Sequence, residues 1–192
     1  MGDRWSRWAA VTGGLALCVA TAVPAQAATA SEAKPWPVVG KMTTWVPNLP
    51  KAVWKGGRAL KFTVDTRQTS KDIVVANWYI GMFDASNLAG ANSENRGVTV
   101  RWQNPWTKQW EKAYDIDKTG GWYVGPRAGR SLTHDKTLRL QIKIWFGKTA
   151  WAGRWQMEAI VASYSVYTPA GKNIAATLTT PNNPQYVFTV HS

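Results

Sequence analysis

The sequence predicts an all-β protein: an antiparallel β-sandwich of about seven to nine strands, preceded by a signal-peptide helix. Three observations point there. Apolar residues fall at every second position in several runs, clusters of Gly, Pro and Asn punctuate those runs, and no segment carries a sustained helical stripe. Two antiparallel sheets packed face to face bury such alternating faces, and a closed barrel is the competing arrangement.

Taken in chain order, the first element is an export signal over residues 1–27. Arg4 and Arg7 form a positive start, residues 9–20 an apolar run, and Ala25-Gln26-Ala27 a small-x-small cleavage pattern, with Ala30 as an alternative cut. The apolar run is shorter than the ~20 residues that span a bilayer. Leu17 precedes Cys18 where a lipid-anchor site would need a small residue, so lipidation is not expected. Cleavage removes Cys18, the only cysteine, and leaves a secreted, extracellular chain that must be stabilised by burial without disulfides. Residues 28–40, small, polar and Pro-containing, read as a flexible linker ahead of one domain over 41–192.

Within that domain the clearest strand is 138–144, where Leu138, Leu140, Ile142 and Ile144 alternate with Arg139, Gln141 and Lys143. Segments 60–65 and 98–102 alternate in the same way. Segments 73–83, 155–167 and 186–191 are rich in β-branched and aromatic residues, which suit a pleated, half-buried surface. Turn signals lie between them at Lys55-Gly56-Gly57, Ala89-Gly90-Ala91-Asn92, Thr119-Gly120-Gly121, Gly125-Pro126, Pro169-Ala170-Gly171 and Pro181-Asn182-Asn183-Pro184.

Across residues 50–190 the chain resembles exported immunoglobulin-like β-sandwich modules of actinobacteria. The resemblance is carried by Gly56-Gly57, Leu60-Lys61-Phe62-Thr63-Val64, the polar break over 66–70, Thr137-Leu138-Arg139-Leu140, Gly153 and Tyr186-Val187-Phe188-Thr189-Val190. It implies an immunoglobulin-like sandwich, an extracellular setting and an adhesive or accessory role. The chain departs from immunoglobulin domains proper in lacking the cysteine pair that brackets a core Trp.

Charge and aromatic content supply the functional clues. The formal charge is +12, of which the leader contributes one unit, and eleven of the 13 tryptophans lie beyond the leader. The basic excess predicts attraction to polyanions. An anionic cell-wall polymer or polysaccharide is the leading partner, a membrane surface is second, and nucleic acid is set aside. Trp78 and Trp155 belong in or near the core, while parity turns Trp145 outward beside Lys143. In the stretch from Trp102 through Trp106 to Trp110, followed by Trp122, amides and a lysine are interleaved with flat rings, the combination that stacks on sugars and bonds their hydroxyls. Trp102, Trp106, Trp110 and Trp122 are therefore the candidate stacking residues, and Arg101, Lys108, Lys143 and Arg154 the candidate cations. The competing reading makes Pro105 the break of a hairpin, with the rings folded back over a sandwich edge.

Other chemistry is poorly supported. Asp115-Ile116-Asp117-Lys118-Thr119-Gly120 begins like a calcium loop, but the twelfth position is Pro126 instead of Glu, and Lys118 puts a cation in the cage; a polar turn and no metal are expected. Ser131, His134 and Asp135 are triad residue types crowded into one turn, and His191 is penultimate. Asp65, Asp72, Glu111 and Glu158 could pair for hydrolysis only if folding converged them. No cofactor is expected. The leading function is noncatalytic binding at the cell surface or wall through a cationic, Trp-rich face. A secreted glycan or ester hydrolase and a membrane-active, toxin-like protein are the alternatives.

Overall fold

A computed structural model describes residues 35–84, 97–115, 120–181 and 184–192. The expected export signal, most of the expected linker and the centre of the expected Asp115–Gly120 turn lie outside these residues. Every regular element described is a strand: β1 (Val38–Trp45), β2 (Ala52–Trp54), β3 (Leu60–Gln68), β4 (Ile73–Asp84), β5 (Val98–Gln103), β6 (Trp110–Lys112), β7 (Tyr114–Asp115), β8 (Gly121–Val124), β9 (Arg130–Leu132), β10 (Thr137–Phe146), β11 (Gly153–Tyr167), β12 (Asn173–Ile174), β13 (Thr177–Thr179) and β14 (Gln185–His191). Seven of the fourteen have six residues or more and make up the sandwich of seven to nine strands that the alternation predicts; the short ones extend its edges. Among the described residues no helix is long and apolar enough to cross a membrane.

The strands form two sheets. One runs β13-β1-β3-β10-β5-β6 and the other β2-β14-β11-β4-β8-β7, with β12 and β9 beside β11 and β4. Most pairs are antiparallel, but β13 runs parallel to β1 and β2 parallel to β14, so both sheets are mixed. Each parallel pair joins segments far apart in the chain, which no local hairpin could align.

Alternation decides which side chains enter the core. Leu140, Ile142, Ile144 and Phe146 of β10 are buried, as are Trp155, Met157 and Ala159 of β11. Rings from opposite sheets meet at Phe146, whose centroid lies 5.3 Å from Trp155 and 5.7 Å from Phe188. Trp78 of β4 donates from Nε1 to Thr66 Oγ1 of β3 at 2.9 Å, a buried bond tying one sheet to the other.

Two expectations are corrected here. Val38 and Gly40, assigned to the linker, lie in β1 and pair with Thr177 and Leu178. The polar segment 66–70, read as a break, continues β3 to Gln68, and Thr66, Gln68 and Ser70 are fully buried. Partners converge on most of these polar groups, the Gln68 side-chain oxygen excepted. Thr66 receives the Trp78 indole and lies 3.3 Å from the Thr44 hydroxyl, Gln68 Nε2 donates to the Leu132 carbonyl, and Ser70 Oγ accepts the Asp72 amide.

Candidate functional site

The outer face of the first sheet concentrates charge through strand register. Lys143 of β10 faces Lys61 of β3 on one side and Arg101 of β5 on the other, and Arg101 in turn faces Lys112 of β6. Four cations thus form one row across four adjacent strands, spanning about 14 Å at the usual strand separation of ~4.8 Å. Like charges directly opposite on neighbouring strands oppose folding. Burial and the charges of Lys61 and Arg101 push the Lys143 ammonium below its ordinary lysine value.

Beside this row runs a band of neutral polar groups. Thr63 faces Gln141, and Gln103 faces Trp110. With Lys61 and Lys143 they line a shallow groove of about 410 Å³. The carboxylate of Asp65, one row further along, does not neutralise the cations. It is buried and gripped by Arg139, whose Nε lies 3.1 Å from Oδ1 and Nη2 3.0 Å from Oδ2. The hydrogen bonds that Arg139 donates to Asp65, and the carboxylate's charge, raise the Arg139 pKa.

The tryptophans divide into three groups. Trp78, Trp102, Trp122 and Trp155 are core residues; Trp102 and Trp122, both 3% exposed, therefore leave the stacking set. The reason is parity: Trp102 stands opposite Ile142, and Trp122 opposite Ile80, both inward positions. Trp106 is 61% exposed, with Trp36, Trp54 and Trp151 also on the surface, and Trp45, Trp110 and Trp145 are half-buried.

The segment 102–110 is a hairpin, as the competing reading had it, but its rings do not all fold back over the edge: Trp102 is in the core and Trp106 stands exposed. Asn104 Oδ1 accepts the amides of Trp106 and Thr107, Lys108 takes a positive φ of 60°, and Asn104 N donates to the Gln109 carbonyl at 2.9 Å. These bonds turn the chain so that Trp106 leaves the sheet while Trp110 returns to it. Lys108 points to the turn and stands outside the row.

Each outward ring in this region carries a cation. Lys143 Nζ lies 3.6 Å from the Trp110 ring centroid, the Arg130 guanidinium 4.3 Å from Trp106, and the Arg101 guanidinium 5.8 Å from Trp145. The rings offered by the sequence as sugar platforms are therefore engaged within the protein, where they hold cations in place. Trp110 also favours the charged form of Lys143, opposing the shift that burial and its neighbours cause. Arg130, half-buried beneath Trp106, has its pKa lowered by desolvation. Arg154 is exposed on β11, in the other sheet, and does not join the row.

A second concavity opens where β6 ends and the chain crosses to β7 through the buried Ala113, whose amide donates to the Val100 carbonyl. This cleft of about 870 Å³ is lined by Glu111, Lys112, Tyr114, Tyr123, Arg127 and Asn77 among others. Arg127 lies over the Tyr114 ring at 4.8 Å, and Glu111 Oε1 accepts Asn104 Nδ2 at 2.7 Å. Sequence reading missed this cleft because its parts are scattered from Asn77 to Ser163 and belong to both sheets.

The triad-like residues do not assemble a nucleophile. His134 Nδ1 lies 2.9 Å from the Ser70 carbonyl oxygen and its Nε2 3.3 Å from Asp135, which also meets Arg67, while Ser131 is exposed on β9. The four carboxylates fall on different elements: Asp65 on β3, Asp72 in a turn, Glu111 on β6 and Glu158 on β11. Among the described residues no group of three or more His, Cys, Asp or Glu side chains is arranged to hold a metal.

No protein-family model matches the chain, and no curated protein does. Solved structures that resemble it include AvmM, described as catalysing macrocyclization in alchivemycin A biosynthesis, at 11% identity and TM-score 0.48 over 82% of this chain and 92% of that one. A non-cellulosomal cohesin from the archaeon Archaeoglobus fulgidus aligns at 13% identity and TM-score 0.40 over 79% and 92% of the two chains. The human F-spondin reeler domain aligns at 10% identity and TM-score 0.38 over 81% and 94%. At these identities and scores none carries an argument about activity or ligand, and the two-sheet architecture rests on the strand pairing itself.

Proposed function

We propose that this protein is an exported, noncatalytic β-sandwich module that binds an anionic polysaccharide or wall polymer along the outer face of its first sheet. One observation carries the reading: the in-register row Lys61, Lys143, Arg101 and Lys112, an arrangement that works against folding and that an anionic strand would neutralise. The Gln141 amide and the Gln103 side-chain oxygen, whose nitrogen donates to the Lys108 carbonyl, suit polymer hydroxyls, and the rings of Trp110 and Trp145 hold Lys143 and Arg101 in the face. The aromatic contribution is thus positional, with attraction between opposite charges as the driving term.

The test is co-sedimentation with purified cell wall and affinity measurement on polygalacturonate, with neutral dextran as control, over rising salt. Binding to the anionic polymer that weakens steeply with salt, and no retention on dextran, is expected. Equal binding to dextran, or salt-independent binding, would overturn the reading. Trp110→Ala frees Lys143 from its ring and is expected to weaken polygalacturonate binding about three- to fivefold, the equivalent of one modest cation–π contact.

A pH series supplies a second check. Lys143 is held below its ordinary value, so between the folded and unfolded values the unfolded chain binds more protons, and stability rises with pH across that window. The destabilisation is fully present below the folded value and is lost as pH climbs towards the free-lysine range, about 10.4. Polymer affinity is expected to fall over the same window as the row, formed by Lys61, Arg101, Lys112 and Lys143, loses a charge. Paired thermal melts and binding measurements at alkaline pH would show the opposite trends, and Lys143→Met would abolish both.

A further inference from the structure

We infer that the cleft at the β6–β7 crossover is an end-binding subsite, which takes the terminal carboxylate-bearing sugar of the polymer whose following units lie on the cationic row. This rests on the proposed function and extends it to a different part of the molecule. Continuity is the first argument. The row ends at Lys112 on the outermost strand of its sheet, and Lys112 also lines the cleft, so a strand leaving the row at that edge meets the cleft directly.

Chemistry is the second argument. At about 870 Å³ the cleft falls within the range of small-ligand sites, roughly 300–1,000 Å³. The planar Arg127 guanidinium, steadied over Tyr114, offers the fork of donors that matches a carboxylate in two parallel hydrogen bonds. Tyr114 and Tyr123, 54% and 39% exposed, stand opposite one another in register and supply apolar walls for a sugar ring. Glu111 gives one oxygen to Asn104, which leaves the other for a ligand hydroxyl.

Glu111 also selects between anions. A terminal phosphate monoester brings about −1.5 to −2 charges against this carboxylate, a sugar acid only one. Arg127 and Lys112 less Glu111 leave the cleft one net positive charge, which a single carboxylate neutralises and which a phosphate dianion, costlier to desolvate, exceeds.

The experiment titrates trigalacturonate and, separately, polygalacturonate into the full mature chain by calorimetry. It compares the unsubstituted protein with Arg127→Gln and with Lys61→Gln, each checked for an unchanged far-ultraviolet spectrum. Arg127 is exposed, so its replacement leaves the core intact. Trigalacturonate binding is expected to drop at least tenfold in Arg127→Gln and by less in Lys61→Gln, at the far end of the row, and a sugar carrying a terminal phosphate is expected to bind more weakly than the uronate. Should Arg127→Gln bind trigalacturonate as before, or should the phosphate sugar bind better, the end-binding subsite is wrong. Polygalacturonate binding that depends on Lys61 but not on Arg127 would sink the subsite alone, whereas loss of all polymer binding by the unsubstituted protein would sink the proposed function with it. Tyr114→Ala serves as an independent second variant: it removes the support of Arg127 and one wall, and must weaken the trisaccharide as well.

Discussion

Replacing Lys61, Arg101 and Lys112 together by glutamine is expected to raise the thermal midpoint of the protein while lowering its affinity for an anionic polymer roughly three- to 150-fold. The two effects share one cause. In register across β3, β10, β5 and β6, the three side chains surround Lys143 with charges of its own sign, and neither helix ends nor buried carboxylates relieve them, since Asp65 is committed to Arg139. Removing the three charges ends the repulsion in the free protein. It also removes three ion pairs from the complex, and at about 0.2–1 kcal/mol for an exposed pair their sum corresponds to roughly three- to 150-fold in affinity. The Lys143 pKa is expected to rise towards its ordinary value in the variant, since two of the three causes of its depression, Lys61 and Arg101, are gone. Differential scanning calorimetry and polygalacturonate titration on the same preparations decide the matter. A lower midpoint with weakened binding would mean that the row stabilises the fold and that the loss of binding reflects damage.

Trp78→Ala is expected to cost about 3–5 kcal/mol, through the cavity left by a wholly enclosed indole. In a chain of this size that corresponds to a fall in midpoint of roughly 6–20 °C. The residue stands at the centre of β4, opposite Val124 and Val161, and its Nε1 supplies the hydrogen bond that satisfies Thr66 between the sheets. Trp78→Phe keeps a six-membered ring but loses the donor and part of the indole volume, leaving Thr66 with the Thr44 hydroxyl alone, so a smaller loss of about 1–3 kcal/mol is expected. Urea unfolding of the two variants separates the terms. Equal losses would show that the hydrogen bond, and not the filled volume, dominates at this site.

Much of the sandwich was legible because alternation is a local property. The run of Leu138, Leu140, Ile142 and Ile144 declares its buried face without reference to any other strand, and the structure places all of β3, β4, β5, β10, β11 and β14 where such runs occur. Segment 66–70 was misread for a complementary reason. Thr66 and Gln68 look like surface residues until Trp78 and Leu132 arrive from elsewhere in the chain to bond them, while Ser70 takes the amide of Asp72 two residues on. Val38 and Gly40 look like linker until Thr177 and Leu178 pair with them.

The candidate site divides along the same line. Composition alone declared a basic, Trp-rich surface, and parity alone turned Lys143 and Trp145 outward. That Lys61, Lys143, Arg101 and Lys112 form one row was decided by the register of strands dozens of residues apart, as was the burial of Trp102 and Trp122. That Trp110 and Trp106 carry Lys143 and Arg130 on their faces was decided by the hairpin at Asn104 and by the meeting of two sheets. Side-chain direction within a strand follows from the pleat, which each residue inherits from its immediate neighbours. Which strand lies alongside, and at what offset, depends on the burial of the whole core, and no short window of sequence contains that sum.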